Sequence, residues 1–220
     1  YASGSFYSRS INNPLISTKL ISQGKKERVY FLSAIDQNSV YQIAGEDRSY
    51  IGEGGQSFVN VLRYQRLINK NSRLGLISTN RYYENGGYGN LFGTDGWFLF
   101  SKKWRLTYEI NLNFNEEPLA DWIDTEDQIL NRSVKLNKER FKGKSLYFQL
   151  YRNSQKWKSY FTYKDISPNF QADLGFVVKN NRRWATLYHT YQLFPNKPAM
   201  QFFSIGTKAD VLYTYQDYLK

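Results

Sequence analysis

The residues best suited to chemistry lie in one acidic stretch in the middle of the chain. Its carboxylates belong to Glu116, Glu117, Asp121, Asp124, Glu126 and Asp127. Paired carboxylates can hydrolyse glycosidic bonds, and clustered ones can bind Ca²⁺. The spacing lacks the alternating Asp residues and the Gly of an EF-hand loop. A solvated surface loop is the simpler interpretation, so we predict neither a catalytic nor a metal site here.

Other signatures of chemistry are incomplete. His189 is the only histidine, and the chain has no cysteine. This composition excludes disulfides and cysteine-based zinc sites. Catalytic triads and zinc sites usually need histidine, and a single histidine offers little for either. Lys142–Ser145 resembles the end of a phosphate-binding loop, but Lys138 stands where that loop needs glycine. We therefore expect no enzyme activity and no cofactor.

The basic residues do not form a nucleic-acid site. The formal net charge is +11, yet Lys and Arg are spread along the chain without a dense block. Basic residues beside aromatic ones, as in Arg81-Tyr82-Tyr83 and Trp157-Lys158, also occur in single-strand grooves. In a membrane barrel the same pairs place a cation beside an aromatic residue of the lipid–water boundary. We expect no nucleic-acid partner.

The elements that would position these residues are strands. Aromatic residues make up 18% of the chain, including 19 Tyr. Tyr and Trp suit the lipid–water boundary, although aromatic residues favour soluble strands too. No apolar run approaches the roughly 20 residues of a membrane-spanning helix. A barrel wall needs only every second residue to be apolar, so membrane insertion stays open.

The clearest strand signal runs from Trp104 to Asn115, where apolar and polar residues alternate without a break. Its apolar positions are Trp104, Leu106, Tyr108, Ile110, Leu112 and Phe114. Its polar positions include Arg105, Glu109, Asn111 and Asn113. A strand of this length, tilted by about 40°, rises roughly 30 Å, close to the thickness of a hydrocarbon core. We predict that the apolar set faces lipid and that the polar set faces a barrel lumen.

Nine further strands are predicted from similar but less regular patterns. They are Leu15–Gln23, Glu27–Asp36, Ser57–Ile68, Arg73–Tyr83, Thr94–Ser101, Lys144–Arg152, Trp157–Asp165, Arg183–Phe194 and Ala199–Tyr215. Short turns are expected at Gly24–Lys26, Asn69–Ser72, Lys102-Lys103, Asn153–Lys156 and Pro195–Pro198, and longer loops at Gln37–Gln56, Glu84–Gly93, Glu116–Gly143 and Ile166–Asn181. Short and long connections alternate, which is typical of meander barrels with tight periplasmic ends.

Several segments resemble a known family. It is the outer-membrane β-barrel region of bacterial proteins that carry a family-nine-type carbohydrate-binding module, often labelled membrane-associated hydrolases. The matching segments are Phe6–Arg9, Lys19-Leu20, Val61–Arg63, Asn71-Ser72, Gly75-Leu76, Gly93–Gly96 and Asp165–Phe176. The most specific match comprises Ser167, Pro168, Phe170, Ala172, Asp173, Leu174, Gly175 and Phe176. The resemblance implies an outer-membrane barrel and implies no reaction.

The hypothesis is an all-β, antiparallel, up-and-down transmembrane β-barrel with about ten strands here. We expect residues 1–220 to be one region without an internal boundary. We also expect them to be a fragment of a larger barrel, because the chain ends at Lys220 without a terminal aromatic residue. The expected place is the bacterial outer membrane, with its lipid and lipopolysaccharide as partners.

The expected role is that of a channel, transporter or docking component for polar solutes such as saccharides. Other outer-membrane or periplasmic proteins are further candidate partners. The alternative is a soluble β-rich carbohydrate-binding module, in which the apolar face of the Trp104 strand must be covered by protein.

Overall fold

The computed structural model describes residues 4–130, 132–195 and 200–216. Sixteen strands lie within these ranges. In chain order they are β1 Pro14–Gln23, β2 Glu27–Asp36, β3 Val40–Ala44, β4 Ser49–Glu53, β5 Ser57–Asn69, β6 Ser72–Tyr83, β7 Tyr88–Leu99, β8 Trp104–Glu116, β9 Leu119–Ala120, β10 Gln128–Ile129, β11 Arg132–Ser133, β12 Leu136–Asn137, β13 Arg140–Asn153, β14 Trp157–Ile166, β15 Arg182–Leu193 and β16 Phe203–Tyr213. A short 3₁₀ turn, Ser8–Ser10, precedes them.

The long strands form a single ten-stranded sheet. Its order is β1-β2-β5-β6-β7-β8-β13-β14-β15-β16, and every neighbouring pair is antiparallel. The sheet is therefore a meander into which small hairpins are inserted, and the all-β antiparallel prediction is confirmed. β1 and β16 are the two edges, and within the described residues the sheet does not close on itself.

The predicted strands agree with the observed ones to within four residues at each end, except at β7. That strand begins at Tyr88 rather than Thr94, so the predicted long loop Glu84–Gly93 is wrong and the connection is only residues 84–87. Gly89 and Gly93, which look like loop residues, lie within β7. The last predicted strand and turn extend over residues 196–199, which lie outside the described residues. The small strands β3, β4 and β9 to β12 were not predicted.

The connections follow the antiparallel order. Tight turns join the strands at one end, where the Gly24 amide donates to the Glu27 carbonyl at 2.8 Å. The connections 37–56, 84–87, 117–139 and 167–181 lie at the other end. Two of the longer ones share an apolar cluster of Tyr41, Ile43, Tyr83, Ile123, Ile129, Val134 and Leu136. We call this folded end, residues 37–56 and 117–139, the loop cap.

The two faces of the sheet differ in what covers them. We call the face that carries Val59, Asn111 and Ser145 the covered face, because side chains there are buried under loop segments. The opposite face carries Leu62, Leu76, Phe92, Ile110 and Phe161, all exposed. We call it the open face. Among the described residues, no helix has the length and hydropathy to cross a membrane.

Candidate functional site

The polar positions of β8 lie mostly in the protein interior. Asn111 and Asn113 are 0% exposed, and Glu109 is buried as well. The Asn111 amide donates to Glu109 Oε1 at 3.1 Å. Arg105 differs, because it is exposed near the tight-turn end, with its guanidinium 5.9 Å from the Trp97 ring. The polar face of β8 is thus a buried network with one exposed cation at its start.

The apolar positions of β8 face outward. Trp104, Leu106 and Tyr108 are half-buried. Ile110, Leu112 and Phe114 are exposed, at 39%, 44% and 46%. A water-soluble sheet buries its apolar alternate residues and exposes its polar ones. In β8 this arrangement is reversed.

Two segments cover the polar face. We call residues 4–11 and 167–181 together the plug. The Tyr7 amide donates to the Leu174 carbonyl at 2.7 Å, and the Phe176 amide donates to the Gly4 carbonyl at 2.8 Å. The second segment also reaches the loop cap, since the Asn180 amide nitrogen of the backbone donates to the Gly45 carbonyl at 2.9 Å. The plug is therefore tied together and to the cap by backbone hydrogen bonds.

The plug contacts the sheet at positions where the sheet has no side chain. Gly143 of β13 lies against Asn169 and Phe170, and a Cβ atom there would come within 2.5 Å of the Phe170 nitrogen. Gly89 of β7 leaves space for the Asp173 carboxylate in the same way. The Asn113 side-chain amide donates to the Asn169 carbonyl at 3.3 Å. Glycine at these two positions of the sheet permits the close approach of the plug.

Asp173 is the polar centre of this contact. Its Oδ2 accepts from the Tyr83 hydroxyl at 2.9 Å, and its Oδ1 accepts from the side-chain amides of Asn115 and Gln171, each at 2.9 Å. Burial raises the pKa of the Asp173 carboxyl, while the donors from Gln171 and Tyr83 oppose that shift. The carboxylate thus joins β6, β8 and the plug in one hydrogen-bonded group.

The remaining positions of the Ser167–Phe176 segment are mainly structural. Phe170, Ala172 and Leu174 are buried among apolar side chains of the sheet and the loop cap. The Ser167 hydroxyl accepts the Lys144 backbone N–H at 2.8 Å. Pro168 offers its carbonyl to the Asn180 side chain.

The end of the same segment packs on the chain start. Gly175 lies so close to Gly4 that a Cβ would overlap its carbonyl. Phe176 is exposed, with its ring 5.5 Å from that of Tyr7. The segment that carries the family resemblance is therefore the larger part of the plug.

A buried ion pair fixes the chain start beside the plug. Arg81 and Asp36 are both 0% exposed, with Nη2 and Oδ2 3.4 Å apart. Arg81 Nη2 also donates to the Ser10 carbonyl at 2.6 Å, and Asp36 Oδ1 accepts the Asn13 N–H at 2.8 Å. Because a buried charge without a partner is costly, these contacts hold residues 10–13 against the sheet. The sequence contains no local signal for this pair, since its members are far apart in the chain.

A cavity of about 420 Å³ lies between the plug and the sheet. Its lining residues are Gly4, Ser5, Phe6, Tyr30, Val61, Arg63, Gln65, Ile77, Thr94, Asp95, Glu109 and Asn111. Arg63 Nη1 lies 2.5 Å from Asp95 Oδ1, and Arg73 contributes a second cation at 3.8 Å. The sheet side of the cavity therefore carries paired charges beside apolar side chains such as Val61 and Ile77.

The acidic stretch does not converge on one point. Glu116 pairs with Arg140 at 2.5 Å, Glu117 with Arg132 at 3.8 Å, Asp127 with Arg48 and Glu126 with Lys135. Asp121 and Asp124 are exposed. Among the described residues, no group of His, Asp or Glu side chains could hold a metal ion. Four of the six carboxylates thus serve separate ion pairs, three within the loop cap and one between the adjoining ends of β8 and β13.

Two carboxyl groups of the loop cap titrate unusually. Burial raises the pKa of Glu117 to about 7, and Arg132 only partly offsets that effect. The pKa of Asp127 is lowered, first by the hydrogen bond from the Tyr50 hydroxyl at 2.9 Å and also by Arg48.

His189 lies on the open face near the tight-turn end. Its Nδ1 is 2.6 Å from the Ser159 hydroxyl, and its ring centroid is 5.1 Å from that of Trp157. Lys142–Ser145 is part of strand β13 and not a loop, so it cannot wrap a phosphate. Neither feature forms a site.

The chain matches no protein-family model, no curated protein and no solved structure.

Proposed function

We propose that this chain forms part of the wall of a bacterial outer-membrane β-barrel that passes or docks polar solutes such as saccharides. The observation that carries the proposal is the reversed burial of β8, with Asn111 at 0% and Ile110 at 39% exposure. Lipid and lipopolysaccharide would contact the open face. The resemblance of Ser167–Phe176 to an outer-membrane family agrees with this place.

The physical argument concerns exposed apolar area. Large apolar side chains recur across the open face, as in the row Leu62, Phe92 and Leu112, in which the intervening strand β6 contributes Ser78. Water-soluble monomers rarely expose apolar patches above a few hundred Å². Burying each such side chain stabilises a protein by about 1.5–3 kcal/mol. Lipid contact would remove the cost of exposing these side chains to water, without any further layer of protein.

Aromatic residues border the apolar band at both ends. Phe58, Tyr82 and Tyr88 are neighbours across β5, β6 and β7 near the loop cap. Trp157 and Tyr191 are neighbours near the tight turns, with ring centroids 4.4 Å apart. Aromatic girdles at both interfaces are characteristic of outer-membrane barrels. The band between them matches the roughly 30 Å rise of a tilted β8.

The edges of the sheet support a larger barrel. β1 is exposed along its whole length, and β16 along nearly all of it. An unpaired edge is not tolerated within a hydrocarbon layer, because its backbone groups have no hydrogen-bond partners there. We propose that further strands pair with β1 and β16 and complete the wall.

The soluble alternative needs a cover over the open face. In the parts of the chain that the structure describes, the loops and the plug pack on the other face. An enzyme would need a group of convergent catalytic side chains, and the acidic stretch is divided among separate ion pairs. The proposal therefore includes no catalytic role.

The test is heat-modifiable gel mobility of the intact protein in detergent, combined with fractionation of membranes. We expect an outer-membrane location and a faster-migrating band before boiling. Leu187→Arg should abolish that band, because Leu187 is exposed on the open face and Arg at a bilayer midplane costs about 2–4 kcal/mol.

Gln149→Arg is the matched control, since Gln149 is half-buried on the covered face one residue row away. This variant should keep the folded band. Recovery of the intact protein in solution without detergent would contradict the proposal.

The burial of Asn111 explains this choice of control. From the sequence, Asn111→Arg is expected to be mild because it faces a lumen. In the structure Asn111 has no exposed surface, so an Arg side chain there would displace the packing over the wall. Gln149 is a fairer comparison.

A further inference from the structure

A second surface lies on the covered face, beyond the plug. It extends over β14, β15 and β16, where most side chains of this face are half-buried or exposed, while Ile166, Thr186 and Thr190 are buried. We call it the lysine–tyrosine patch. It consists of Lys158, Tyr160, Lys164, Trp184, Tyr188 and Lys208.

The strand register brings these residues together. Tyr160, Tyr188 and Lys208 form one row across the three strands, because Tyr160 pairs with Tyr188 and Tyr188 pairs with Lys208. Lys164 is opposite Trp184, and Lys158 is opposite Thr190. Alternation along a strand places these rows on the same face.

Cations outnumber anions in the patch. Lys158, Lys164 and Lys208 contribute positive charge, with Arg182 beside Lys164. The neighbouring carboxylates are Asp210 and Glu109, which interacts electrostatically with Lys164. Asp210 accepts from Thr186 at 2.6 Å and from Trp184 Nε1 at 3.3 Å, and it lies 2.6 Å from Lys208 Nζ. The carboxylate thus holds Trp184 and Lys208 in place. An excess of positive charge remains over the patch.

The two tyrosines of the patch supply hydroxyl groups for hydrogen bonding. The Tyr160 and Tyr188 rings are stacked on each other, with centroids 4.9 Å apart and planes 17° apart. One face of each ring is occupied by the other ring, and the phenol oxygens are left for a ligand. Thr162 and Gln149, joined at 3.2 Å, add neutral hydrogen-bonding groups in the next row.

We infer that the lysine–tyrosine patch binds an acidic oligosaccharide, a sugar chain that carries carboxylates. Ammonium groups match the carboxylates, and phenol, threonine and amide groups match the sugar hydroxyls between them. Cationic rings and strips select anions in channel proteins. The inference rests on the proposed function, because it assigns the class of polar solute that this wall receives.

The experiment is isothermal titration of the intact, detergent-solubilised protein with trigalacturonate and with maltotriose, a neutral trisaccharide of equal length. We expect at least tenfold tighter binding of trigalacturonate. We also expect this preference to weaken as salt rises, because screening reduces the attraction between charges.

The triple variant Lys158→Gln, Lys164→Gln and Lys208→Gln should lose the preference. The matched control carries Lys25→Gln, Lys26→Gln and Lys102→Gln, the same change of charge at exposed turn positions. Its preference should be unchanged. Folding of both variants is checked by heat-modifiable mobility.

Equal affinity of the unmodified protein for both trisaccharides would overturn the inference, whatever the variants do. A heat-modifiable outer-membrane protein without the acidic preference contradicts this inference alone. A protein recovered in solution without detergent contradicts the proposed function, even if it binds trigalacturonate.

Discussion

Glu117 shows how burial in the loop cap changes the pKa of a single carboxyl group. Its side chain is fully buried, and its Oε2 accepts the Asn137 N–H at 3.3 Å. The pKa of the carboxyl rises from 4.5 to about 7, chiefly because burial disfavours the charged form. The folded state therefore holds a proton that the unfolded chain releases between these two pH values.

This linkage gives a prediction for stability. For this group, stability is highest below pH 4.5 and falls as pH rises through the window up to about 7. The slope cannot exceed about 1.4 kcal/mol per pH unit for one proton. Glu117→Gln should remove that component when urea unfolding midpoints are measured from pH 4.5 to 8 in detergent.

Asp124→Asn is the control, because Asp124 is exposed in the same loop. Its pH profile should follow that of the unmodified protein. A Glu117→Gln profile with an unchanged slope would show that the buried carboxyl is already ionised at pH 4.5.

At the scale of elements, the main relation is between the plug and the strands beneath it. Strand positions follow from local alternation, which is why β8 could be predicted almost to the residue. The position of the plug on the sheet could not be predicted, because Asp173 is far along the chain from Asn115 and Tyr83, with which it forms hydrogen bonds. Gly89 and Gly93 misled the prediction for β7, since these glycines serve close approach to side chains and not a turn.

Gly143→Ala tests whether the plug depends on close contact with β13. The added Cβ would come within 2.5 Å of backbone atoms of the plug, which cannot move aside like a flexible side chain. Overpacking of this kind costs about 1–3 kcal/mol. We expect trypsin to cut at Lys179 roughly five- to 150-fold faster, since about 1.4 kcal/mol corresponds to tenfold in the population of the open form.

Gly24→Ala is the control, because its Cβ would lie 3.5 Å from the nearest atom, the Glu27 carbonyl oxygen. Tryptic cutting at Lys179 should be unchanged in this variant. An unchanged rate of tryptic cutting in Gly143→Ala would mean that other contacts hold the plug on the sheet.

For the whole molecule, the sheet has one side that buries polar and apolar residues under the plug and another side that exposes many large apolar residues. The sequence pattern could predict both sides, since a period of two needs no knowledge of the partner strands. It could not predict that the covered face divides into a half that lies under the plug and a half that carries the lysine–tyrosine patch. That division depends on where residues 4–11 and 167–181 pack, which is a long-range property of the fold.

The central claim is that the open face lies against lipid. Because the chain has no cysteine, single variants can carry one fluorescent label each. The open-face sites are Ile110→Cys and Leu187→Cys, and the covered-face site is Lys208→Cys. Leu187 pairs with Ala209, next to Lys208, so this pair of sites has nearly the same depth.

The decisive measurement is quenching of these labels by lipids brominated on their acyl chains, with the intact protein in vesicles. Strong quenching is expected at positions 110 and 187, and weak quenching at position 208, because the sheet separates the last label from the acyl chains. Equal quenching on both faces, or none on either, would contradict the account.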